Sequence, residues 1–379
     1  MKFYLHRTLS LVLALAALSV LILPSMADQS VSVPEVSAKS AVLAEGESGT
    51  VIWSKNGDEK LPMASTTKIM TALVALERCS DLDREVKIPS EACGIEGSSI
   101  YLKEGERLTM RQLLFALLLE SANDAACAIA IETAGSIDKF AGMMNETAAS
   151  IGMNSSHFTN PHGLDNEEHY TTASDMAKLA VYALKNDNFA QIVSTYKTTI
   201  PMNGGEGTRL LLNHNKLLKY YDGAVGVKTG FTKRSGRCLV SAAERDGITM
   251  IAVTLSAPDD WNDHCEMLDY GFSKYKRVDL ASPGSVSYSI PVTGGDSEVI
   301  TISNRDSAHL CLPSDTPELT CVIEAPRFLY APIAEGDVIG YACYLLGEEE
   351  LARIPLYSEN DSNIVKKPSL WERILEMYK

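Results

Sequence analysis

Several things are scarce in this 379-residue chain, and each scarcity argues against a class of function. Positive charge is short: 34 Lys and Arg face 49 Asp and Glu, for a formal net charge of −15. No basic stripe offers counterion release, which speaks against nucleic acid as a partner. Of the eight cysteines, none forms a Cys-x-x-Cys pair, which speaks against a zinc site. Histidine is sparse as well, with seven in the chain. His162 has no second histidine at ligand spacing and reads as structural. After the N-terminus, no apolar run is long enough to span a bilayer. What remains is ordinary for a globular protein: 45% hydrophobic, 22% charged, and long enough for two domains.

The N-terminus stands apart. Lys2, His6 and Arg7 precede an apolar run from Leu9 to Leu23, then Pro24 and the small-x-small sequence Ser25-Met26-Ala27. This pattern reads as a secretory signal over residues 1–27, cleaved after Ala27; an uncleaved anchor is the alternative. Residues 28–38 are polar and without period, and read as a linker. In an exported chain the cysteines could oxidise into disulfides. Cys127 and Cys238 lie inside apolar runs, where a small buried thiol is the simpler reading. Mostly free thiols are expected.

The chain is organised around Ala64-Ser65-Thr66-Thr67-Lys68. Neither Gly nor Pro interrupts from Ala64 to Glu77. Ile69, Met70, Leu73, Val74 and Leu76 fall on a helical stripe, so the spacing predicts a helix. Ser65 and Lys68 then lie one turn apart on one face. A serine hydroxyl beside an amine is a candidate nucleophile and base. The pattern is weak alone, because it recurs at Ser136/Lys139, Ser194/Lys197 and Ser273/Lys276.

Other segments place the company that Ser65 keeps. Ala41–Glu45 and Thr50–Lys55 read as strands, followed by an Asn56-Gly57 turn. Met110 to Ala134 reads as two buried helices with a polar break, Glu120 to Asp124, between them. Ser121 or Asn123 there could be a simple helix cap, but polar groups between buried helices need partners or a function. Asn160 to Asp165 is a turn-rich loop. Thr172 to Leu184 reads as a helix with Ser174 as its cap. Val225 to Gly230 is a short strand ending in a tight glycine. Cys238–Ala243 and Ile248–Leu255 form a hairpin around Asp246-Gly247. A helix ends near Lys276. Beyond Ala281 short alternating runs with many Gly and Pro predict a small β domain, with a hairpin of Val338–Leu346 and Leu351–Tyr357. The fold class is α+β.

Three elements line up in order: Ser65-x-x-Lys68, Ser121-x-Asn123 and Lys228-Thr229-Gly230. That order is the one used by the serine penicillin-recognising enzymes. Three longer segments carry the likeness further: Gly97-Ser98-Ser99-Ile100-Tyr101-Leu102-Lys103-Glu104-Gly105, Asn160-Pro161-His162-Gly163-Leu164-Asp165 and Lys228-Thr229-Gly230-Phe231-Thr232. Over roughly residues 35–275 the chain resembles the D-alanyl-D-alanine carboxypeptidases, the low-molecular-mass penicillin-binding proteins that trim peptidoglycan stem peptides.

The resemblance implies a β-lactamase/transpeptidase-like catalytic domain, an antiparallel sheet flanked by helices plus a helical subdomain. It would span residues 39–278, with a small all-β domain over 279–360. It also implies roles. Ser65 attacks the D-Ala-D-Ala carbonyl, and Lys68 is its base once neutral, which burial and the charge of Lys228 favour. Ser121 relays a proton to the leaving D-alanine. Asn123 hydrogen-bonds the substrate amide, and Lys228 and Thr229 hold the terminal carboxylate. Gly230 lets the substrate lie along the strand edge as an added strand. The N–H groups of Ser65 and Phe231 form the oxyanion hole. Water hydrolyses the acyl-enzyme, with no metal or organic cofactor implied, and β-lactams are covalent inhibitors. Many relatives carry an arginine soon after the Lys-Thr-Gly hairpin. Pro258-Asp259-Asp260-Trp261-Asn262-Asp263-His264 has none, which leaves Lys228 and Thr229 to act alone or with help from His264.

Three other readings share parts of this pattern. A class A β-lactamase needs a Glu-x-x-Leu-Asn motif, which this chain lacks. A related endopeptidase usually has a large insertion between the first two motifs, and here Ser65 and Ser121 are close in sequence. A non-catalytic peptidoglycan-binding module would have lost a motif residue, and none is lost. The tail Pro368–Lys379 puts Leu370, Trp371, Ile374, Leu375 and Tyr378 on one helical face. It reads as an amphipathic helix on the outer face of the cytoplasmic membrane, with docking onto the β domain as the alternative. The expected location is extracytoplasmic.

Overall fold

The computed structural model describes residues 32–202, 207–365 and Trp371. The secretory signal over 1–27 lies outside the described residues, as does the C-terminal helix apart from Trp371, whose side chain is exposed. The chain divides into two units, Met1–Val33 and Pro34–Lys379, and all elements below belong to the second.

The elements run β1 (Ser40–Glu45), β2 (Val51–Lys55), a 3-10 turn (Ala64–Thr67), α1 (Lys68–Arg78), β3 (Glu85–Lys87), β4 (Arg107–Thr109), α2 (Met110–Leu119), α3 (Asn123–Ala134), α4 (Ile137–Ser150), α5 (Ala173–Leu184) and α6 (Asp187–Ser194). Then follow β5 (Lys197–Met202), β6 (Gly207–Leu212), α7 (Leu217–Tyr220), β7 (Ala224–Thr232), β8 (Gly236–Arg245), β9 (Ile248–Leu255) and α8 (Asp260–Lys274).

Five strands form an antiparallel sheet in the order β2-β1-β9-β8-β7. Its central strands are buried on both faces, which explains their continuous apolar runs. In β9, Ile251, Val253 and Leu255 join the cluster that holds α1 to α5, while Met250 and Ala252 join Met267 and Leu268 of α8 on the other face. β1 splits the same way, Val42 and Ala44 against Ala41 and Leu43. Among the described residues strand β7 pairs with β8 alone, which leaves its other edge open beside the 3-10 turn.

The helical subdomain is built around α1, whose residues Lys68 to Leu76 are all buried. Thr109 and Gln112 make a reciprocal capping box at the start of α2. Gly135, at φ 80°, ends α3 in the left-handed conformation that glycine adopts without cost.

The described elements that follow are all strands: β10 (Tyr275–Ala281), β11 (Ser287–Thr293), β12 (Val299–Ser303), β13 (Ala308–Pro313), β14 (Thr320–Glu324), β15 (Leu329–Tyr330), β16 (Val338–Leu346) and β17 (Glu349–Ser358). Six of them form a sheet in the order β14-β16-β17-β12-β11-β15, over a separate core with Ile290, Ile300, Ile302 and Leu356 at its centre. The α+β architecture with a C-terminal all-β domain is as the sequence leads one to expect.

Several local readings need correction. Ser65 sits in a 3-10 turn, and the α-helix begins at Lys68. The helix after β9 ends at Lys274, and Lys276 belongs to β10. Thr172, not Ser174, caps α5: its hydroxyl accepts from the Asp175 N–H at 3.0 Å. Residues 34–38, inside the expected linker, are held instead by Asp263, which accepts from the Ser37 N–H at 2.8 Å and the Ala38 N–H at 3.2 Å. The polar run Asn360–Asn363, which by sequence reads as a linker, is tied down: the Asn363 N–H donates to Asp296 Oδ1 at 2.9 Å. The eight cysteines are all free thiols.

Candidate active site

The site forms where the 3-10 turn, the α2–α3 junction and the open edge of β7 meet. Ala64, with φ 48°, turns the chain into the 3-10 segment and presents Ser65 at the surface of the cleft. Gly230 lets the strand come this close: a Cβ there would stand 3.0 Å from the Ser65 nitrogen and 3.1 Å from the Met63 carbonyl oxygen. From the other side, Gly163 packs against the Ala64 carbonyl so closely that any side chain would overlap it.

Lys68 is fully buried behind Ser65. Its Nζ donates to Ser65 Oγ at 3.0 Å, to Asn123 Oδ1 at 2.7 Å and to the His162 carbonyl at 2.6 Å. As an ammonium it meets these three acceptors with three donors; as the neutral amine it keeps two and turns its lone pair to Ser65 Oγ. Burial, and then the charge of Lys228, hold the Lys68 ammonium well below its ordinary pKa. A neutral amine at hydrogen-bond distance from a hydroxyl can take its proton.

Ser121 lies at the junction of α2 and α3 with φ 60°, a backbone state unusual for serine, and lines the cleft. Asn123 is engaged on both ends: Oδ1 accepts from Lys68, and Nδ2 donates to the Glu96 carbonyl at 2.6 Å. Its Nδ2 carries a second hydrogen besides the one given to Glu96. It caps nothing, since α3 starts without a side-chain cap. Lys228 is buried on β7, donates to the Thr229 carbonyl at 2.9 Å, and is pulled down to about 7 by burial. Thr229, Gly230 and Phe231 line the cleft beside Ser65 and Ser98. All eight residues singled out from sequence therefore converge here.

The other Ser-x-x-Lys pairs do not. Ser136 caps α4 through the Lys139 N–H at 3.2 Å. Ser194 donates back to the Ala190 carbonyl at 2.8 Å, and Ser273 to Tyr270 at 2.8 Å.

His162 contributes its carbonyl to Lys68, while burial pushes its ring down to about 3. Its Nδ1 accepts from the Leu164 N–H at 3.1 Å, a contact that fits the structural reading of the ring. The expected help from His264 fails. That ring is buried under the sheet, with Nε2 at 2.9 Å from Thr254 Oγ1 and Nδ1 against Ser241.

Sequence reasoning missed four groups. Asp124, fully buried, accepts from Ser99 Oγ at 2.6 Å and the Leu102 N–H at 2.9 Å, clamping the Gly97–Lys103 loop over the cleft. Its position next to Asn123 was the available signal. His214 and Lys216 line one end of the cleft. Arg237, opposite Phe231 across β7 and β8, lines it too. Arg237 donates to Asp260 Oδ1 at 2.7 and 2.9 Å and lies over Trp261. An arginine does reach the cleft, but from β8 and not from the segment after β9.

Comparison with known proteins gives two family matches. Residues 27–259 match the D-alanyl-D-alanine carboxypeptidase family. Residues 275–363 match the C-terminal domain of penicillin-binding protein 5. A D-alanyl-D-alanine carboxypeptidase of Bacillus subtilis (strain 168) is 32% identical over 86% of this chain and 85% of its own. Penicillin binding protein 5 from Haemophilus influenzae superposes with a TM-score of 0.69 at 26% identity, covering 88% of this chain and 99% of that one. The Streptomyces K15 DD-transpeptidase is 34% identical with a TM-score of 0.61, over 64% of this chain and all of its own.

Proposed function

The chain belongs to the D-alanyl-D-alanine carboxypeptidase family, and from that premise we propose a residue-level course for its reaction. Ser65 attacks the carbonyl of the penultimate D-alanine in a peptidoglycan stem peptide. Neutral Lys68 takes the hydroxyl proton, and Ser121 passes a proton to the leaving D-alanine. The N–H groups of Ser65 and Phe231 receive the oxyanion. The peptide pairs with the open edge of β7, and its terminal carboxylate lies at Lys228 and Thr229. Asn123 holds Lys68 and offers its remaining hydrogen to the substrate amide. Water then releases the acyl group. A β-lactam enters by the same attack and stays as the acyl-enzyme.

One observation carries this reading: a fully buried lysine amine at 3.0 Å from the hydroxyl of a cleft serine. The catalytic domain spans residues 39–278 and the β domain 279–360. The protein works outside the cytoplasm, with residues 361–379 contributing a linker and a membrane-surface helix. No helix among the described residues is long and apolar enough to cross a membrane.

Mass spectrometry of the purified protein after benzylpenicillin, with D-alanine release assayed in parallel, tests the reading. The expected result is one adduct on Ser65 and release of D-alanine from a peptide ending in D-Ala-D-Ala. Rapid turnover of the penicillin with no D-alanine release would favour a β-lactamase instead. An unmodified protein that releases nothing would leave a binding module.

A further inference from the structure

Two polar side chains behind the Ser65 turn, Thr67 and His169, are buried and line no part of the catalytic cleft. They are joined in one direction. The Thr159 N–H donates to His169 Nδ1 at 3.0 Å. That nitrogen must offer a lone pair, so in the neutral ring the proton is on Nε2. Nε2 lies 2.7 Å from Thr67 Oγ1 and donates to it. The Thr67 hydroxyl gives its own hydrogen to the Ala64 carbonyl at 2.7 Å. The imidazole is set edge-on to Phe158, with ring centres 5.8 Å apart, and the His169 N–H donates to the Asn166 carbonyl at 3.2 Å.

This chain of donors ends on a particular peptide. The Ala64 carbonyl and the Ser65 N–H belong to one planar trans unit and point in opposite directions, so fixing the oxygen aims the N–H. Ala64 has φ 48°, a backbone state that a residue with a side chain holds only where its surroundings enforce it. Gly163 closes on the same oxygen from the cleft loop, and Gly230 of β7 closes on the Ser65 nitrogen. The peptide is thus anchored at its oxygen and faces the binding strand with its nitrogen. The loop that begins at Thr159 also carries the His162 carbonyl, which receives Lys68 at 2.6 Å. One imidazole therefore touches the supports of both the nucleophile turn and the lysine.

We propose that His169 is a positioning residue for the oxyanion site: through Thr67 it fixes the Ala64–Ser65 peptide so that the Ser65 N–H points at the developing oxyanion. The proposal rests on the reading of Ser65 as nucleophile and of its N–H as an oxyanion donor. Neither His169 nor Thr67 touches substrate. A hydrogen bond to an oxyanion is stronger than one to the carbonyl it comes from, so a misaimed N–H slows bond formation more than it weakens binding.

Rapid-mixing acylation by a fluorescent penicillin, over a range of concentrations, gives the dissociation constant of the first complex and the acylation rate constant separately. It is measured for wild type, Thr67→Val, Thr67→Ser, His169→Asn and His169→Gln, with a thermal melt of each. Valine keeps the shape of threonine without its hydroxyl, and serine keeps the hydroxyl. Asparagine can replace Nδ1 alone, whereas glutamine can reach Thr67 in place of Nε2. Thr67→Val and His169→Asn should lose about tenfold or more in the acylation rate constant, with the dissociation constant within about twofold. Thr67→Ser and His169→Gln should stay within about threefold of wild type in both. The double variant Thr67→Val/His169→Asn should lose no more than the slower single variant, because both act on one peptide. Rates that follow the melting temperatures, with His169→Gln as slow as His169→Asn, would make His169 a support of the fold and overturn the proposal. So would losses confined to the dissociation constant, or Thr67→Val acylated at the wild-type rate, a result that does not depend on whether His169→Asn folds. A wild type that takes no penicillin on Ser65 would refute the nucleophile reading itself, and the proposal with it.

Discussion

The α-carbon of Gly230 faces the backbone nitrogen of Ser65 with no room for a side chain between them, since a Cβ would come to 3.0 Å. The edge of β7 and the proposed nucleophile are therefore placed by one contact, on which the geometry of the proposed oxyanion site depends.

Gly230→Ala should widen that contact by a few tenths of an ångström. The expected outcome is a fall in the rate of penicillin acylation of about tenfold or more, with the thermal midpoint nearly unchanged. Stopped-flow acylation beside a thermal melt separates the two; an unchanged rate would show that the contact does not set the geometry.

Ser65→Ala should abolish both acylation and D-alanine release. Ser136, Ser194 and Ser273 share its local pattern but hydrogen-bond within their own helices or caps. Peptide mapping of the penicillin adduct checks this, and an adduct on any of those three would refute the assignment.

Lys68→Arg should be nearly as damaging as Lys68→Ala. An arginine keeps the charge but does not give up a proton. Retention of more than about a tenth of the wild-type acylation rate, a barrier change under about 1.4 kcal/mol, would rule out the base role.

The pH profile of kcat/KM should have an alkaline limb near 7. Burial lowers the pKa of Lys228 to about 7, so in the free enzyme its charge is present below that pH and lost above it. A lost ammonium weakens carboxylate binding, whereas a bound carboxylate raises the pKa of its partner. The limb should therefore appear in kcat/KM and move to higher pH in kcat. The acid limb belongs to Lys68, whose depressed pKa must be exceeded before its amine is neutral. An alkaline limb at the same pH in both parameters would argue against Lys228 as the carboxylate partner.

Glu106→Gln should destabilise the protein by about 3–5 kcal/mol. The Glu106 carboxylate is almost wholly buried against Arg209, with Nη2 to Oε2 at 3.0 Å, and Arg209 Nε also donates to the Ile100 carbonyl at 2.9 Å. The pair ties the β5–β6 hairpin to the loop over the cleft. Chemical denaturation measures the loss, and a change below about 1 kcal/mol would place the pair among interactions that barely contribute.

Much of this was legible in the sequence, and the exceptions have a common cause. Ser65, Lys68 and Lys228 announce themselves because the roles proposed for them belong to their side chains, at fixed spacing. His162 acts through its carbonyl, and any residue has one, so its type gave no hint. Arg237 stands in β8, ahead of the segment after β9 where the family pattern puts a cation. Its closeness to Phe231 is a matter of cross-strand register, which a linear reading does not supply. Asp124 was passed over in favour of its neighbour Asn123, although its role, gathering backbone N–H groups of a loop, keeps that neighbour in place. The strands of the sheet were recognisable as apolar runs, but their order was not.

The unpaired edge of β7 has a second consequence, for the company the protein keeps in solution. A bare row of N–H and C=O groups is a template on which other chains add and aggregate. Here the template lies at the bottom of a slot, with Ser65, Ser98 and Ser121 along the facing side. A strand that already belongs to a sheet would bring its neighbours against those residues as well as against β7. The residues that line the cleft therefore also limit what can pair with that edge.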